Sequence, residues 1–342
     1  MKQLIGVFMK DSHLTEETIE INKSIFEQAI ALCVKHNCPL FHGGDVFTER
    51  KSQSLAVLYA FGEILELLKQ NNVYMHIVPG NHDKVDQDSK ISYLDPFENH
   101  SNITLYKTQT SVPFTNDVFI HFLPYFKENA SYVERLELLQ PVRGKFNLCL
   151  THVAVQSVKN NDGTLVENNI KKSLFDKFDL TMIAHYHDES WIGDKIWYFP
   201  GCKQKDYGEN NKKGFTLLYN DGSHEFIKSK FKEYIKVPLD ITDEEAIKKA
   251  KKQYANSPDN VRFVFQGDQA ELKHINKEKY AELGIDVDFN KNSAIPMNND
   301  DLIEKAGSLS FDRQNIFAAF DTFCEIKHIE DNSIGKSYLK KI

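Results

Sequence analysis

The chain has 342 residues, of which 41% are hydrophobic and 27% are charged, and its formal net charge is −7. This composition is typical of a soluble globular protein with one large core and smaller units, and it excludes a broadly basic protein that coats nucleic acid. No apolar run approaches the roughly 18 residues that a membrane-spanning helix needs. The five cysteines are scattered and include no CxxC pair, which indicates a reducing, cytoplasmic compartment and no thiolate metal site.

Short apolar runs alternate with amphipathic stretches at the start of the chain. Residues 3–9 are an apolar run that contains Gly6 and is too short for a signal sequence, so it predicts a first strand. Apolar residues at near-helical spacing over 18–37 and over 54–72 predict two helices. The apolar runs CPLFHGG and VYMHIVPG follow these helices as strands, and this β-α-β-α-β order predicts a sheet covered by helices.

The remainder of the chain predicts a second sheet, which completes the first domain, and then a small domain, a linker and a helical tail. Six short strands with few helices between them predict that residues 1–228 form an α/β (α+β) domain, a two-sheet sandwich flanked by helices. Residues 229–290 predict a small α/β cap domain, whose first helix opens with Thr242 and Glu245 as a capping box. The polar segment 291–300 is a predicted linker, and 301–342 a predicted helical tail.

Five of the predicted strands end in side chains that bind metal ions. These side chains are Asp11 and His13 in MKDSHL, Asp45 in GGDVF, Asn81 and His82 in PGNHD, His152 in LTHV, and His185 and His187 in AHYH. Ligands in open α/β sheets gather beyond the carboxyl ends of strands, and the glycines before Asp45 and Asn81 allow sharp turns there. We therefore expect the five segments to converge on one site.

The donor set suits a pair of cations. Two carboxylates, one amide oxygen and four imidazoles are enough for two divalent ions about 3.5–4 Å apart, with Asp45, alone at its strand end, as the bridging carboxylate. Nitrogen and oxygen donors without sulfur favour Mn²⁺, Fe²⁺ or Zn²⁺. His82 is spare in this count, so it is a candidate to contact a phosphate or protonate a leaving group, or else to hydrogen-bond a ligand. Asp83 is a candidate to join it in catalysis, or to fix the turn.

The motifs D-x-H, G-D, G-N-H-D, H and H-x-H, in this order, resemble those of the calcineurin-like metallophosphoesterase superfamily over roughly residues 1–225. The resemblance implies a metallophosphoesterase fold and two metal ions, most often Mn²⁺. It also assigns the ligands: one ion would take Asp11, His13, Asp45 and His187, and the other Asp45, Asn81, His152 and His185.

Residues 197–215, WYFPGCKQKDYGENNKKGF, are similar to a segment of SbcD-type DNA nucleases, and so is the opening MKDSHL. This resemblance implies a Mn²⁺-dependent exonuclease or endonuclease that processes DNA ends in recombination and repair, with the cap domain guiding the DNA. The partners it implies are DNA, an SMC-like coiled-coil ATPase of the SbcC type, and a second copy of the chain in a homodimer.

Two departures from the superfamily pattern bear on the site. Thr48 stands where many relatives have a histidine that acts near the substrate phosphate, which puts the strength or mode of exonuclease activity in question. Ala184 precedes His185 where glycine is usual, and alanine fits there only if its φ is not positive.

Two further groups of residues have two interpretations each. Lys203, Lys205, Lys212 and Lys213 surround Glu209 in one polar loop, and they either remain solvated or contact DNA phosphates. The apolar face of the tail, with Phe317, Phe320 and Phe323, either packs into a core or docks in a groove of the ATPase.

Two other functions fit the same motifs. A phosphatase or a cyclic-nucleotide phosphodiesterase would use the same pair of metal ions, although the 197–215 segment and the added domains favour a nuclease. A non-enzymatic scaffold for DNA ends would keep the metal site for folding alone. The presence of all seven ligands and of His82 favours an enzyme.

Overall fold

A computed structural model describes residues 2–156, 158 and 165–290. The described residues up to Phe289 belong to one compact unit. The predicted linker at 291–300 and the predicted helical tail, with Phe317, Phe320 and Phe323, lie outside the described residues.

Fifteen strands and six α-helices are formed by the described residues. The strands are β1 (Leu4–Met9), β2 (Leu40–His42), β3 (Met75–Ile77), β4 (Ile103–Leu105), β5 (Thr110–Pro113), β6 (Val118–Leu123), β7 (Phe146–His152), β8 (Leu180–Ala184), β9 (Ser190–Ile192), β10 (Ile196–Tyr198), β11 (Gly214–Tyr219), β12 (His224–Lys228), β13 (Tyr234–Asp240), β14 (Asn260–Gln266) and β15 (Ile285–Phe289). The helices are α1 (Ile19–His36), α2 (Leu55–Gln70), α3 (Ala130–Leu138), α4 (Glu244–Tyr254), α5 (Gln269–Leu272) and α6 (Lys277–Ala281).

The strands form three sheets. The first has the order β12-β11-β1-β2-β3-β4, the second β5-β6-β7-β8-β10-β9, and the third β13-β14-β15. Strands β1 to β4 are parallel, as are β6, β7, β8 and β10, whereas the edge pairs β11–β12, β5–β6 and β9–β10 are antiparallel. Each large sheet therefore presents a row of parallel carboxyl ends, where the polar site residues follow their strands.

The two large sheets pack face to face over an apolar core. Phe8 and Phe41 of the first sheet belong to the same buried cluster as Phe122, Leu150 and Met182 of the second. A second cluster joins the other face of the first sheet to α1 and α2, and a third joins the second sheet to α3. The predicted fold class, a two-sheet sandwich flanked by helices, is therefore confirmed.

The helices next to the site begin and end where local chemistry requires. The Ser54 side chain accepts from the backbone N–H of Val57 at the start of α2, which is a standard N-cap contact. Helix α1 ends at Asn37, whose φ of 48° is the left-handed conformation that asparagine tolerates well.

One local prediction is wrong, and one helix was not predicted. Helix α4 begins at Glu244, and its N-cap is Asp243, whose carboxylate accepts from Ala246 N at 2.9 Å, so the predicted Thr242–Glu245 capping box is wrong. Thr242 instead donates its hydroxyl to Asp240. Helix α3 was not predicted, because only Tyr132 and Leu136 of its nine residues are buried and its apolar pattern is correspondingly short.

None of the described helices is long and apolar enough to cross a membrane. The four cysteines within the described residues, Cys33, Cys38, Cys149 and Cys202, all carry free thiols.

Candidate metal centre

The loops after β1 and β2 run side by side and carry the first three candidate ligands. The backbone N–H of Asp11 donates to Gly44 O at 3.0 Å, and that of His13 donates to Asp45 O at 3.0 Å. Leu14 forms a parallel bridge with Phe47 beyond them. These backbone hydrogen bonds hold the two loops at a fixed distance from each other without any side-chain contact.

Four of the candidate ligands adopt a backbone conformation that most residues avoid. Among the described residues, seven other than glycine have positive φ, and four of these are Asp11 (53°), His13 (46°), Asp45 (54°) and His185 (102°). Positive φ outside glycine is uncommon and concentrates at functional sites, where the surroundings hold the strained residue. Ala184 itself ends strand β8 and is not among the seven, so alanine fits there without strain.

Gly44 allows the loops to approach one another. Its φ is 99°, and a side-chain carbon there would lie 2.7 Å from Gly80 N and 2.8 Å from His152 Nδ1. Those distances are too short for non-bonded atoms, so this position in the G-G-D turn requires glycine for both its conformation and its lack of a side chain.

Asp11, His13 and His187 form the first donor group. Ligand atoms of all three lie within 4.8 Å of one another, and all three side chains are buried. His13 Nε2 is 2.9 Å from His187 Nε2. The carboxylate oxygen Oδ2 of Asp11 is buried without a hydrogen-bond partner, although Lys10 Nζ lies 3.4 Å away.

Asp45, Asn81, His152 and His185 form the second donor group. His152 Nε2 is 3.0 Å from Asn81 Oδ1 and 3.3 Å from His185 Nδ1, and His185 Nδ1 is 2.9 Å from Asn81 Oδ1. The other ring nitrogen of His152 donates to the carbonyl oxygen of Gly43 at 3.0 Å, which fixes the tautomer and turns Nε2 toward the group.

Asp45 lies between the two groups. Its Oδ2 is 3.8 Å from His13 Nε2 in the first group and 3.4 Å from His152 Nε2 in the second. Its Oδ1 accepts from the backbone N–H of His82 at 2.8 Å. The structure thus brings together all seven side chains that the sequence proposed as ligands, with Asp45 in the position from which a carboxylate can bridge two ions.

The chemistry of these donors fits divalent cations. Imidazole nitrogens face each other at 2.9 Å and 3.3 Å, a contact that two lone pairs cannot make unless a proton or a cation lies between them. Burial holds the pKa of His13 well below its ordinary value and lowers that of His185 to about 3, which favours the neutral form that binds metal. At His152 burial also opposes the charge, but the adjacent Asp45 carboxylate outweighs it and the pKa rises to about 9.

A charged network that the sequence did not predict supports the first group. His187 Nδ1 donates to Glu209 Oε1 at 2.5 Å, and Glu209 Oε2 pairs with Lys213 Nζ at 2.9 Å. Lys213 is fully buried and also donates to His187 O and to Asp188. The only feature of the sequence that pointed to this network was the position of Glu209 in the segment 197–215. Because Lys213 is buried in these contacts, it is neither solvated nor free to contact a phosphate.

Lys10 is a second supporting cation that the sequence did not single out. It is fully buried, and its Nζ donates to Tyr186 O at 2.5 Å while lying 3.4 Å from Asp11 Oδ2. Burial lowers the pKa of Lys10 to about 8, although Asp11 opposes this. Lys10 therefore links the end of β1 to the loop that carries His185 and His187.

His82 lies beside the two groups and is held by its Nδ1. That nitrogen is 2.5 Å from Thr48 O, so it carries the proton and donates to the carbonyl, while Nε2 accepts from Arg50 Nη2 at 3.3 Å. The ring of His82 meets that of His13 edge-on, 5.0 Å between centroids. Thr48 thus contributes its backbone carbonyl to the site, and Arg50 is a nearby cation that the sequence did not predict.

Asp83 is fully buried and joins two of the ligand-bearing loops. Its Oδ1 accepts from Phe47 N at 3.0 Å and its Oδ2 from Gly80 N at 2.8 Å. Burial, reinforced by the charge of Asp45, raises the pKa of Asp83 to about 7. These contacts correspond to the turn-fixing role that the sequence offered as one of two alternatives for this residue.

The loop lysines occupy different environments. Lys203 is buried and lines a cavity beside His13, and the exposed Lys205 lines the same cavity. Lys212 is exposed and forms an ion pair with Glu189, so the structure does not bring it to the cavity.

Comparison with known proteins gives no family and one structure of low similarity to report. No protein-family model matches the chain, and no curated protein matches it. Among solved structures, it is similar to the crystal structure of calcineurin-like phosphoesterase YfkN from Bacillus subtilis, with a TM-score of 0.38 and 11% sequence identity over 66% of this chain and 88% of that chain. A similarity at this level carries no argument about activity, so function is inferred from the residues of the site.

Proposed function

We propose that the chain is a metal-dependent phosphodiesterase of the calcineurin-like metallophosphoesterase superfamily. The observation that carries the proposal is the position of the Asp45 carboxylate, 3.8 Å from His13 Nε2 and 3.4 Å from His152 Nε2, between two donor groups that contain no sulfur. Paired sites of this kind, with nitrogen and oxygen donors on each side of a shared carboxylate, are typical of hydrolytic two-metal centres.

Each residue of the site has a role in this proposal. Asp11, His13, Asp45 and His187 would hold one cation, and Asp45, Asn81, His152 and His185 would hold the other. When bound, two divalent cations supply the Lewis acidity that phosphoryl hydrolysis needs at neutral pH. Most of this scaffold is buried, which keeps bulk water away from the donors.

His82 is the residue that we place at the leaving oxygen. Its Nδ1 is committed to Thr48 O, so only Nε2 is available to a substrate. Burial lowers the pKa of His82 below its ordinary value, so its protonated form would be a comparatively strong acid and a suitable proton donor. The Arg50 guanidinium beside Nε2 would attract the substrate phosphate to the same place.

We further propose that the substrate is DNA and that the chain acts as an SbcD-like nuclease subunit. The support is the similarity of residues 197–215 to that family, together with the positions of Glu209 and Lys203, from the same segment, next to the candidate ligands. In this proposal the cation is Mn²⁺, the chain works as a homodimer, and a coiled-coil ATPase of the SbcC type supplies the affinity for duplex DNA that a chain of net charge −7 lacks.

Comparison of three substrates tests both levels of the proposal. The wild type with Mn²⁺ is expected to cleave linear duplex DNA and bis(p-nitrophenyl) phosphate, and the Asp45→Asn variant to cleave neither. Asp194→Asn, a change in the exposed turn between β9 and β10, is the matched control. Strong turnover of p-nitrophenyl phosphate without DNA cleavage would reject the nuclease and retain a phosphatase. A wild type that is inert on every substrate, even with its ATPase, would favour a DNA-end scaffold.

A further inference from the structure

A cavity of about 160 Å³ opens beside the candidate metal centre, between His13 and the start of the third sheet. Among the residues that line it are Lys203, Gln204, Lys205, Lys232, Tyr234 and Asn260. No aspartate or glutamate is among its described lining residues. In a chain of net charge −7, a cavity with three lysines and no carboxylate is a local reversal of charge that suits an anion.

Lys203 is unlike the other buried lysines of the described chain. Lys10, Lys84 and Lys213 each donate to backbone carbonyl oxygens: Lys10 to Tyr186, Lys84 to Tyr125 and Lys213 to His187. Lys203 is 6% exposed, yet no described residue accepts a hydrogen bond from it or forms an ion pair with it. The stem of its side chain is buried but its Nζ is not enclosed, so the ammonium group is open to the cavity, and an anion there would supply the acceptor that the described residues do not.

Gln204 fixes the wall of the cavity in place. Its Oε1 accepts from Tyr234 N at 2.9 Å, and its Nε2 donates to Glu209 O at 2.9 Å. The same side chain therefore joins the first strand of the third sheet to the loop whose Glu209 holds His187. The volume is also adequate, because a buried water needs only about 10–15 Å³ on the same measure and a tetrahedral oxyanion requires several times that space.

We propose that this cavity binds a second phosphate group of the substrate, one other than the phosphate that is cleaved, with Lys203 as its principal ligand and Lys205 and Lys232 at its edge. The inference rests on the proposed phosphodiesterase function. It restricts the substrate to molecules that carry at least two phosphate groups, such as oligonucleotides, and it disfavours phosphomonoesters and cyclic mononucleotides.

The first test compares two esters that differ by one phosphate. Thymidine 5′-(p-nitrophenyl phosphate) and its 3′-phosphorylated form would be hydrolysed with Mn²⁺ by the wild type, Lys203→Met and Lys195→Met, the last being an exposed lysine in the β9–β10 turn. The wild type and Lys195→Met are expected to have a KM about tenfold lower for the 3′-phosphorylated ester. In Lys203→Met this ratio is expected to fall to about one. An equal KM for both esters in the wild type, or an unchanged ratio in Lys203→Met, would overturn the inference.

The second test needs no metal and no catalysis. In EDTA, calorimetric titration of the wild-type protein with pyrophosphate is expected to give one site that Lys203→Met weakens at least about tenfold. Hydrolysis of both esters at equal KM, without pyrophosphate binding, would reject the cavity as a phosphate site and leave the proposed function intact. Pyrophosphate binding by a protein that hydrolyses neither ester would keep the anion site and reject the phosphodiesterase function.

Discussion

The two donor groups of the candidate metal centre are held in different ways. In the second group, His152 donates to a backbone carbonyl and its other polar contacts are with donors of the group, so the polar support comes from the main chain. In the first group, His187 donates to Glu209, which pairs in turn with the buried Lys213, so the support comes from charged side chains. The first group therefore depends on the segment 197–215 and is the one that substitutions can weaken selectively.

Asp45→Asn is expected to have the largest effect because the Asp45 carboxylate lies close to a histidine of each group and is the candidate bridge between the two cations. The amide keeps the shape but loses the charge that two cations share, so hydrolysis should fall by at least about a thousandfold, as when a main electrostatic contributor is removed. Metal analysis after gel filtration should give fewer than two Mn²⁺ per chain. Two tightly bound ions in this variant would show that Asp45 does not bridge.

Glu209→Gln separates the two groups. The amide no longer balances Lys213 and is a weaker acceptor for His187, so the affinity of one Mn²⁺ site should fall about 10–100-fold while the other is unchanged. Calorimetric or paramagnetic-resonance titration would resolve the two sites. Glu225→Gln, in the exposed strand β12, is the matched control. Equal weakening of both sites would contradict the independence of the two supports.

Asp83→Asn probes the backbone support that the second group relies on. Asparagine can accept only one of the hydrogen bonds from Phe47 N and Gly80 N, and its NH₂ group would face the other donor, so the loop-fixing role predicts a lower free energy of unfolding even though a neutral amide is easier to bury than the carboxylate. Denaturant unfolding at pH 8, where the Asp83 carboxyl is ionised, measures the change. The exposed Asp88→Asn should leave the midpoint unaltered, and an equally stable Asp83→Asn would remove the loop-fixing role.

Arg50→Gln is expected to have the smallest effect, because Arg50 touches His82 and neither donor group. Loss of its charge should raise KM for a phosphodiester about tenfold, equivalent to about 1.4 kcal/mol, with both Mn²⁺ sites intact. Lys51→Gln, at the exposed neighbouring position, controls for the general loss of one positive charge. If both variants raise KM equally, Arg50 acts through net charge and not through the phosphate position.

The sequence predicted the fold and the candidate ligands for a definite reason. The ligands follow buried parallel strands, and apolar runs that end in G-D or P-G-N-H identify both the strand and the point at which its side chains reach the sheet edge. Glu209 and Lys213 could not be found in this way, because each lies in a polar loop where charged residues are expected in any case. Their importance arises from the enclosure of their side chains and from the pairing of Glu209 with both His187 and Lys213, which the sequence does not show.

Lys203 illustrates the same limit. In the sequence it is one of four lysines in a single loop, and nothing local distinguishes it from Lys212. The structure separates them, because Lys212 pairs with Glu189 at the surface, while Lys203 lies at the cavity wall with most of its side chain buried and has no hydrogen-bond or ion-pair partner among the described residues. Helix α3 and the Asp243 cap were missed for a related reason: short elements depend on a few contacts, which tertiary packing decides.

The left-handed backbone at Asp11, His13, Asp45 and His185 has a consequence for how this chain would change over generations. Such a conformation costs roughly 1–2 kcal/mol for a residue with a side chain, and glycine would avoid that cost. The backbone conformation alone would therefore favour glycine at these four positions, and the binding of cations is an advantage that carboxylates and imidazoles have there. A lineage that no longer needed the ions would be expected to lose these side chains and become more heat-resistant as it did so.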